Sequence, residues 1–205
     1  MYSSHVLAAV GAERRQSLHR QARADGLVRT ASLPKPTYDL DGVLIRPISP
    51  TDAAGLREGF ARLGLRSRRL RFLGSKPSLT DAEVAYFTNV DHDKHEALVA
   101  VDTKARAGIG VARFIRDPLV PEVADVAITV VDDWQGHGVG SLLLRQLTDL
   151  AGCRGVRRFT ALVSTDNMAM RRMLARIAGD VELVGRDADT LSYEISVRQP
   201  LEPCA

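Results

Sequence analysis

Along the chain, short β-branched runs alternate with stretches whose apolar residues recur every three or four positions, the mark of strands interleaved with helices. Val43–Ile48 predicts the first clear strand. Ser49-Pro50 then opens a helix through Leu63, with Ser as N-cap and Pro at a position whose N–H has no helical partner anyway. A short second helix follows over Ser67–Leu73. Thr80-Asp-Ala-Glu83 is a capping box, in which a hydroxyl and a carboxylate each cover one orphan backbone N–H, and it starts a helix through Thr88. His95–Val101 and Gly108–Ile115 are apolar runs around a polar turn, which predicts a hairpin. Val123–Val131 is the next strand, Gly138–Ala151 a strongly apolar helix, and Arg158–Val163 another strand. A helix over Asn167–Ile177 and strands over Val181–Val184 and Leu191–Val197 complete a mixed α/β domain.

Upstream of Val43 the pattern weakens. Ala8–Ala24 can form a helix, but Val6, Val10, Leu18 and Leu27 are scattered rather than striped, and Pro34-Lys-Pro36 breaks it off. We expect an extension or linker over residues 1–36 and the domain over 37–205. The 205 residues, 45% apolar and 26% charged, suit one cored domain with some length to spare. No run approaches the roughly 18 apolar residues of a membrane span. The first residues lack a basic start, so a secretory leader is not expected. Cys153 and Cys204 are too few for a disulfide framework or a zinc site and suit a reducing cytoplasm.

Charge changes the picture only once it is located. The net +3 hints at nucleic acid, yet residues 1–36 hold six basic and two acidic residues, and the remainder 22 and 23. A near-neutral domain with 5% aromatics offers no basic, aromatic-lined face, so a nucleic-acid binder is not expected. His92 and His95 stand among Asp91, Asp93 and Glu96, but the spacing fits no familiar ligand set; a solvated turn and no metal are expected. Arg66, Arg68, Arg69 and Arg71 read as a solvated helix face with Leu70 and Phe72 inward. Trp134 reads as a cap on apolar surface and Cys153 as packing at a helix end.

One turn carries chemistry. Strand 123–131 runs into Asp132-Asp133-Trp134 and then Gln135, Gly136, His137, Gly138, Val139, Gly140 and Ser141, where the apolar helix begins. A glycine-rich turn between strand and helix presents consecutive backbone N–H groups with the positive end of the helix dipole behind them, which suits a pyrophosphate. No Gly-Lys-Ser/Thr follows, so this is not a P-loop, and the spacing fits the dinucleotide fingerprint poorly.

The block Gln135-Gly-His-Gly-Val-Gly140 resembles motif A of the GNAT acetyltransferase superfamily, Gln/Arg-x-x-Gly-x-Gly/Ala. Further on, Asn167-Met-Ala-Met-Arg-Arg-Met-Leu174 resembles motif B, in which an Asn opens the next helix. Three segments, Leu65–Phe72, Leu79–Glu83 and Val90–Ala100, are similar to the GNAT domain of bacterial Pat-type protein lysine acetyltransferases. Those are often fused to a cyclic-nucleotide-binding or acyl-CoA-synthetase-like domain; residues 1–36 are too short for either, so a stand-alone relative is expected. The resemblance implies a central, mostly antiparallel sheet with a splayed parallel pair, flanked by helices. It implies acetyl-CoA as co-substrate, no metal, and an amine or protein lysine as acceptor, with a homodimer left open.

Acetyl transfer needs a neutral amine, although a free lysine has a pKa of about 10.4, and fixed donors for the developing oxyanion. By the resemblance, the backbone at Ile128, Thr129 and Val130 would pair with the pantetheine arm, Gln135 to Ser141 would hold the pyrophosphate, and Asn167 would contact the arm. Pat-type enzymes carry a Glu ten positions before the motif-A Gln; here that position is Asp125, one methylene shorter. Partial burial would raise its pKa toward that of a useful base acting through a water. A strand Asp is equally an edge residue or an ion-pair partner, and both readings stand. Leu174 occupies the place of a Tyr that serves many superfamily members as acid, and Tyr193 is a poor substitute. The alternative to an N-acetyltransferase is therefore an acyl-CoA-binding sensor or scaffold.

Overall fold

The structure is a computed structural model and describes residues 37–40, 42–176 and 180–199. The basic segment 1–36, with the helix expected over 8–24, lies outside the described residues. Among the described residues, eight strands form one sheet in the order β1-β2-β3-β4-β5-β6-β8-β7. They are β1 (Thr37–Leu40), β2 (Val43–Pro47), β3 (His95–Asp102), β4 (Ala107–Arg116), β5 (Val123–Val130), β6 (Arg158–Ser164), β7 (Val181–Arg186) and β8 (Thr190–Ser196). All neighbours are antiparallel except β5 and β6, which are parallel. The helices are α1 (Ala53–Ala61), α2 (Leu65–Phe72), α3 (Asp81–Thr88), α4 (Val139–Cys153) and α5 (Met168–Leu174).

Local chemistry sets most boundaries. Ser49 is extended, Asp52 closes a capping box onto it, and Pro50 leads a 3-10 turn that passes into α1. The Thr80 hydroxyl accepts from the Glu83 N–H at 3.2 Å while Glu83 reaches back to the Thr80 N–H at 2.9 Å, so α3 starts where the capping box predicts. Two findings depart from the sequence pattern. A short β1 precedes Val43 and folds back through Gly42, whose φ of +75° favours glycine. The first long helix begins as a 3-10 turn instead of one continuous α-helix.

Over β2 to β5 the sheet is covered on both faces, whereas Leu162 of β6 and Leu183 and Val184 of β7 are exposed. Phe114, Phe159, Leu143, Leu144 and Leu147 are fully buried where α4 packs on one face. Truncating one such leucine to alanine costs about 2–5 kcal/mol. On the other face of β2 to β5, α1, α2 and α3 gather Phe60, Leu63, Leu79 and Val84, with Ile48, Ala97 and Val99 of the sheet in a smaller cluster. β3 is therefore buried continuously from His95 to Ala100, without the alternation of a half-exposed strand. No described helix is long and apolar enough to cross a membrane. Cys153 closes α4 and is not a free thiol; Cys204 lies outside the described residues.

Candidate active site

β5 and β6 pair only at Val123–Arg158, Ala124–Phe159 and Asp125–Thr160, after which the strands part. β6 continues along β8, while β5 continues along β4 without a register shift. The Val131 N–H donates to Ile109 O at 2.9 Å. Strand alternation then turns the backbone groups of Thr129 toward β4 and those of Ile128 and Val130 toward the gap. The three residues expected to meet a pantetheine arm thus divide: Ile128 and Val130 face the gap, and Thr129 does not.

The glycine-rich turn lies at the wide end of that gap. Gly136 and Gly138 have φ of +80° and +86°, and a Cβ at either would meet nothing within 4 Å. The positive φ values, not crowding, call for glycine there. Gly138 caps α4, a 15-residue helix whose first N–H groups have no helical acceptor. At Gly140 a Cβ would stand 3.5 Å from Met173 Sδ and 3.6 Å from Val130 Cγ2, which places the start of α4 against both α5 and β5. Val139 is buried, so only its backbone reaches the turn, whereas His137 and Ser141 are exposed.

Gln135 fastens the turn from behind. Its Nε2 lies 3.1 Å from Val130 O, 3.1 Å from Asp132 Oδ1 and 3.2 Å from Ser67 Oγ. Asp132 Oδ2 accepts from the Gly64 N–H at 3.0 Å, so the α1–α2 corner is tied to the same strand end. A Cβ at Gly64 would come within 2.8 Å of that oxygen. Asn167 caps α5, accepting from the Met170 N–H at 3.0 Å, and its amide NH2 makes no hydrogen bond among the described residues.

Asp125 stands at the apex of the gap. It is exposed, not partly buried as expected, and the Thr160 hydroxyl donates to its carboxylate. Leu174 is buried in the main core, and Tyr193 packs against that core from β8.

Beneath α1, α2 and α3, on the face of β5 that carries the Thr129 side chain, lies a cavity of about 350 Å³. Arg46 and Asp52 form a two-point fork on its wall, at 2.6 and 2.8 Å. Burial alone would raise the Asp52 pKa, but the Arg46 fork and the Ser49 N–H overcome it and hold the carboxyl below its usual range. Arg113 reaches the cavity from β4. Its Nη1 is 3.1 Å from His95 Nε2 and 3.4 Å from Phe87 O, and its guanidinium lies 4.4 Å from the Phe87 ring centre. Burial, reinforced by Arg71, lowers the guanidinium to about 9, with Tyr86 acting the other way. It remains charged at neutral pH. Burial, Arg113 and His92 push the His95 pKa well below the ordinary value.

The polar stretch 91–96 is only in part a solvated turn: Asp91, Asp93 and Lys94 are exposed, whereas the first two residues of β3 are not. His95 is buried, and Glu96 is wholly buried between His92 Nδ1 at 2.8 Å and Arg154 Nη1 at 2.7 Å. The turn wraps buried charge because Arg154, far away in sequence, comes to meet it. The arginine cluster is likewise only partly a solvated face. Arg68 donates to Leu63 O and Pro77 O at 2.8 Å and to Ala61 O at 3.2 Å, bracing the α1–α2 corner. Arg71 lines the cavity. Sequence reasoning passed over Arg113, although an arginine inside the apolar run Gly108–Ile115 was the signal.

Comparison with known proteins gives a consistent result. Residues 65–179 match the model of the acetyltransferase (GNAT) family. The chain is 33% identical over 199 residues to acetyltransferase Pat of Mycolicibacterium smegmatis, covering 91% of this chain and 59% of that protein. The chain thus spans less than two thirds of that relative's length. It is 32% identical over 132 residues to an acetyltransferase of Pseudomonas aeruginosa, covering 63% of this chain and 70% of that protein. The crystal structure of the GNAT domain of S. lividans PAT superposes with a TM-score of 0.71 at 27% identity, over 79% of this chain and 96% of that domain. A splayed strand pair, a glycine turn and an unbroken family match over more than half its length establish that the chain belongs to the acetyltransferase (GNAT) family.

Proposed function

We propose that this domain is an N-acetyltransferase that moves an acetyl group directly from acetyl-CoA to an amine. The observation that carries the reading is the open edge of β5 beside the N-terminus of α4. Ile128 and Val130 would pair with the pantetheine arm as an added strand does, and an N–H there would hold the thioester oxygen. Gln135 shapes the turn, while the N–H groups of Gly136, His137, Gly138, Val139, Gly140 and Ser141 would take the pyrophosphate. The NH2 of Asn167 is a donor for the arm.

The neutral amine attacks the thioester carbon, forming C–N and breaking C–S, while one amine proton passes to a base and the departing thiolate takes one from water. Asp125, at the apex of the gap, would serve as that base, acting through a water. A titration of thermal stability with acetyl-CoA, followed by thiol release over an amine panel and a lysine peptide, tests the reading. Ligand at a hundred times its dissociation constant is expected to add about 2.7 kcal/mol. No shift at millimolar acetyl-CoA would defeat it.

A second reading, an acyl-CoA-binding sensor or scaffold, draws on Asp125 already being engaged by Thr160 and on a buried Leu174 where an acid would stand. It predicts the same acetyl-CoA shift without thiol release.

A further inference from the structure

We propose that the acceptor is a small amine that also bears an anionic oxygen group, carboxylate or phosphate, gripped by Arg113 in the cavity beneath α1, α2 and α3. The proposal rests on the acetyltransferase reading and narrows its acceptor.

Arg113 is buried without a carboxylate opposite it. Its two hydrogen-bond acceptors, His95 Nε2 and Phe87 O, are uncharged and share one nitrogen, Nη1. Nε and Nη2 make no hydrogen bond among the described residues. Besides His95, the charged or titratable groups acting on the guanidinium are Arg71 and Tyr86. Of the two acidic side chains lining the cavity, Asp52 is held in the Arg46 fork and Glu58 is exposed on α1. Arg71 and Arg106 add further positive charge to the lining. A buried cation without a counter-charge is costly, and a ligand anion offers the partner the protein lacks. The planar guanidinium matches a carboxylate or phosphate at two points.

Size and position fit a small acceptor. A cavity of about 350 Å³ holds a small molecule and not a folded surface. Phe60, Phe72 and Val99 in its walls suit a hydrocarbon stem. Arg113 stands opposite Ala127, which makes it a diagonal neighbour of Asp125 on the same face of the sheet. Such neighbours have backbones about 7–8 Å apart, and an acceptor with its anion at Arg113 would extend along the sheet toward Asp125, which lies just outside the cavity's lining residues. Thr129 lines the same cavity, on the strand whose other edge faces the gap.

The test compares matched amines: β-alanine with propylamine, phosphoethanolamine with ethanolamine, and a lysine peptide, each with acetyl-CoA. The anionic members are expected to show kcat/KM roughly a hundredfold above their neutral partners, chiefly through KM. Which of the two anionic members is preferred decides between carboxylate and phosphate. Arg113→Gln is expected to collapse that ratio toward one, and Arg113→Lys, which keeps the charge but loses the fork, to reduce it partly. An unaltered thermal shift with acetyl-CoA shows that either variant is folded. A ratio near one in the parent protein, a ratio unmoved in Arg113→Gln, or preference for the peptide overturns the proposal and leaves the acetyltransferase reading standing. If no amine is turned over, β-alanine and phosphoethanolamine are titrated calorimetrically into the CoA-bound protein. Arg113-dependent binding then supports the proposal, and its absence overturns it. Failure of acetyl-CoA itself to bind defeats the acetyltransferase reading, and with it the acceptor role of Arg113.

Discussion

The Thr160 hydroxyl donates to the Asp125 carboxylate across the last rung that joins β5 to β6. The candidate base is thereby held at the point where the two strands part. Asp125→Ala is expected to lower kcat for thiol release by about 10²–10⁴. The deficit should be largest near neutral pH, where the amine is protonated, and shrink as the pH rises. Thr160→Val, which leaves the carboxylate unheld, should lower kcat less. A pH–rate profile of both variants checks this, and an unchanged Asp125→Ala rate removes the residue from the reaction.

Gly138 turns the chain at φ +86° with open space where a Cβ would lie. Gly138→Ala therefore has a conformational cost and no steric clash, about 1–2 kcal/mol in urea denaturation. Relaxation of that φ would re-aim the N–H groups at the start of α4. Calorimetric affinity for acetyl-CoA is expected to fall about tenfold or more, equivalent to about 1.4 kcal/mol. A variant that loses stability but keeps full affinity would separate the turn from ligand binding.

Arg154, just after α4, closes an ion pair with Glu96 at the start of β3, and Arg116 donates to its carbonyl. Removing one partner strands the other's buried charge. Arg154→Ala is expected to cost about 3 kcal/mol or more in denaturant unfolding. Arg154→Lys, which keeps the charge, should recover part of that loss.

His95 stays neutral in the fold because burial first, then Arg113 and His92, hold its pKa well down. Below about pH 6.5 the unfolded chain takes up a proton at this residue that the folded chain refuses. The stability linked to His95 is thus full above that pH and is lost as pH falls toward the folded pKa. Tm is expected to drop between pH 7.5 and 5, and His95→Gln to flatten the drop. An identical pH profile in the variant would show that other groups control it.

Much of the architecture is legible in local chemistry. The Thr80–Glu83 box starts α3, the apolar run Val139–Cys153 makes α4, and the hairpin of β3 and β4 follows from two apolar runs around a polar turn. Each depends on residues a few positions apart, so a linear pattern contains it. The glycine turn is legible for the same reason, since Gln135 to Ser141 are consecutive and it is their backbone that would do the binding.

What the chain order alone determined, then, is most of the sequence of elements from Val43 onward and the loop between β5 and α4 that would hold a pyrophosphate. Only the tertiary structure decided where β5 and β6 part, because that depends on β6 pairing fully with β8. It also decided that Thr129 turns its backbone toward β4 and that Asp125 meets Thr160, 35 residues away. Arg113 and His95 stand 18 residues apart and become one buried pair only when β3 and β4 align and α3 covers them. Charge in a sequence is neutral as to burial; the same arginine is solvated on a surface and an anion site in a cavity, and packing alone selects between them.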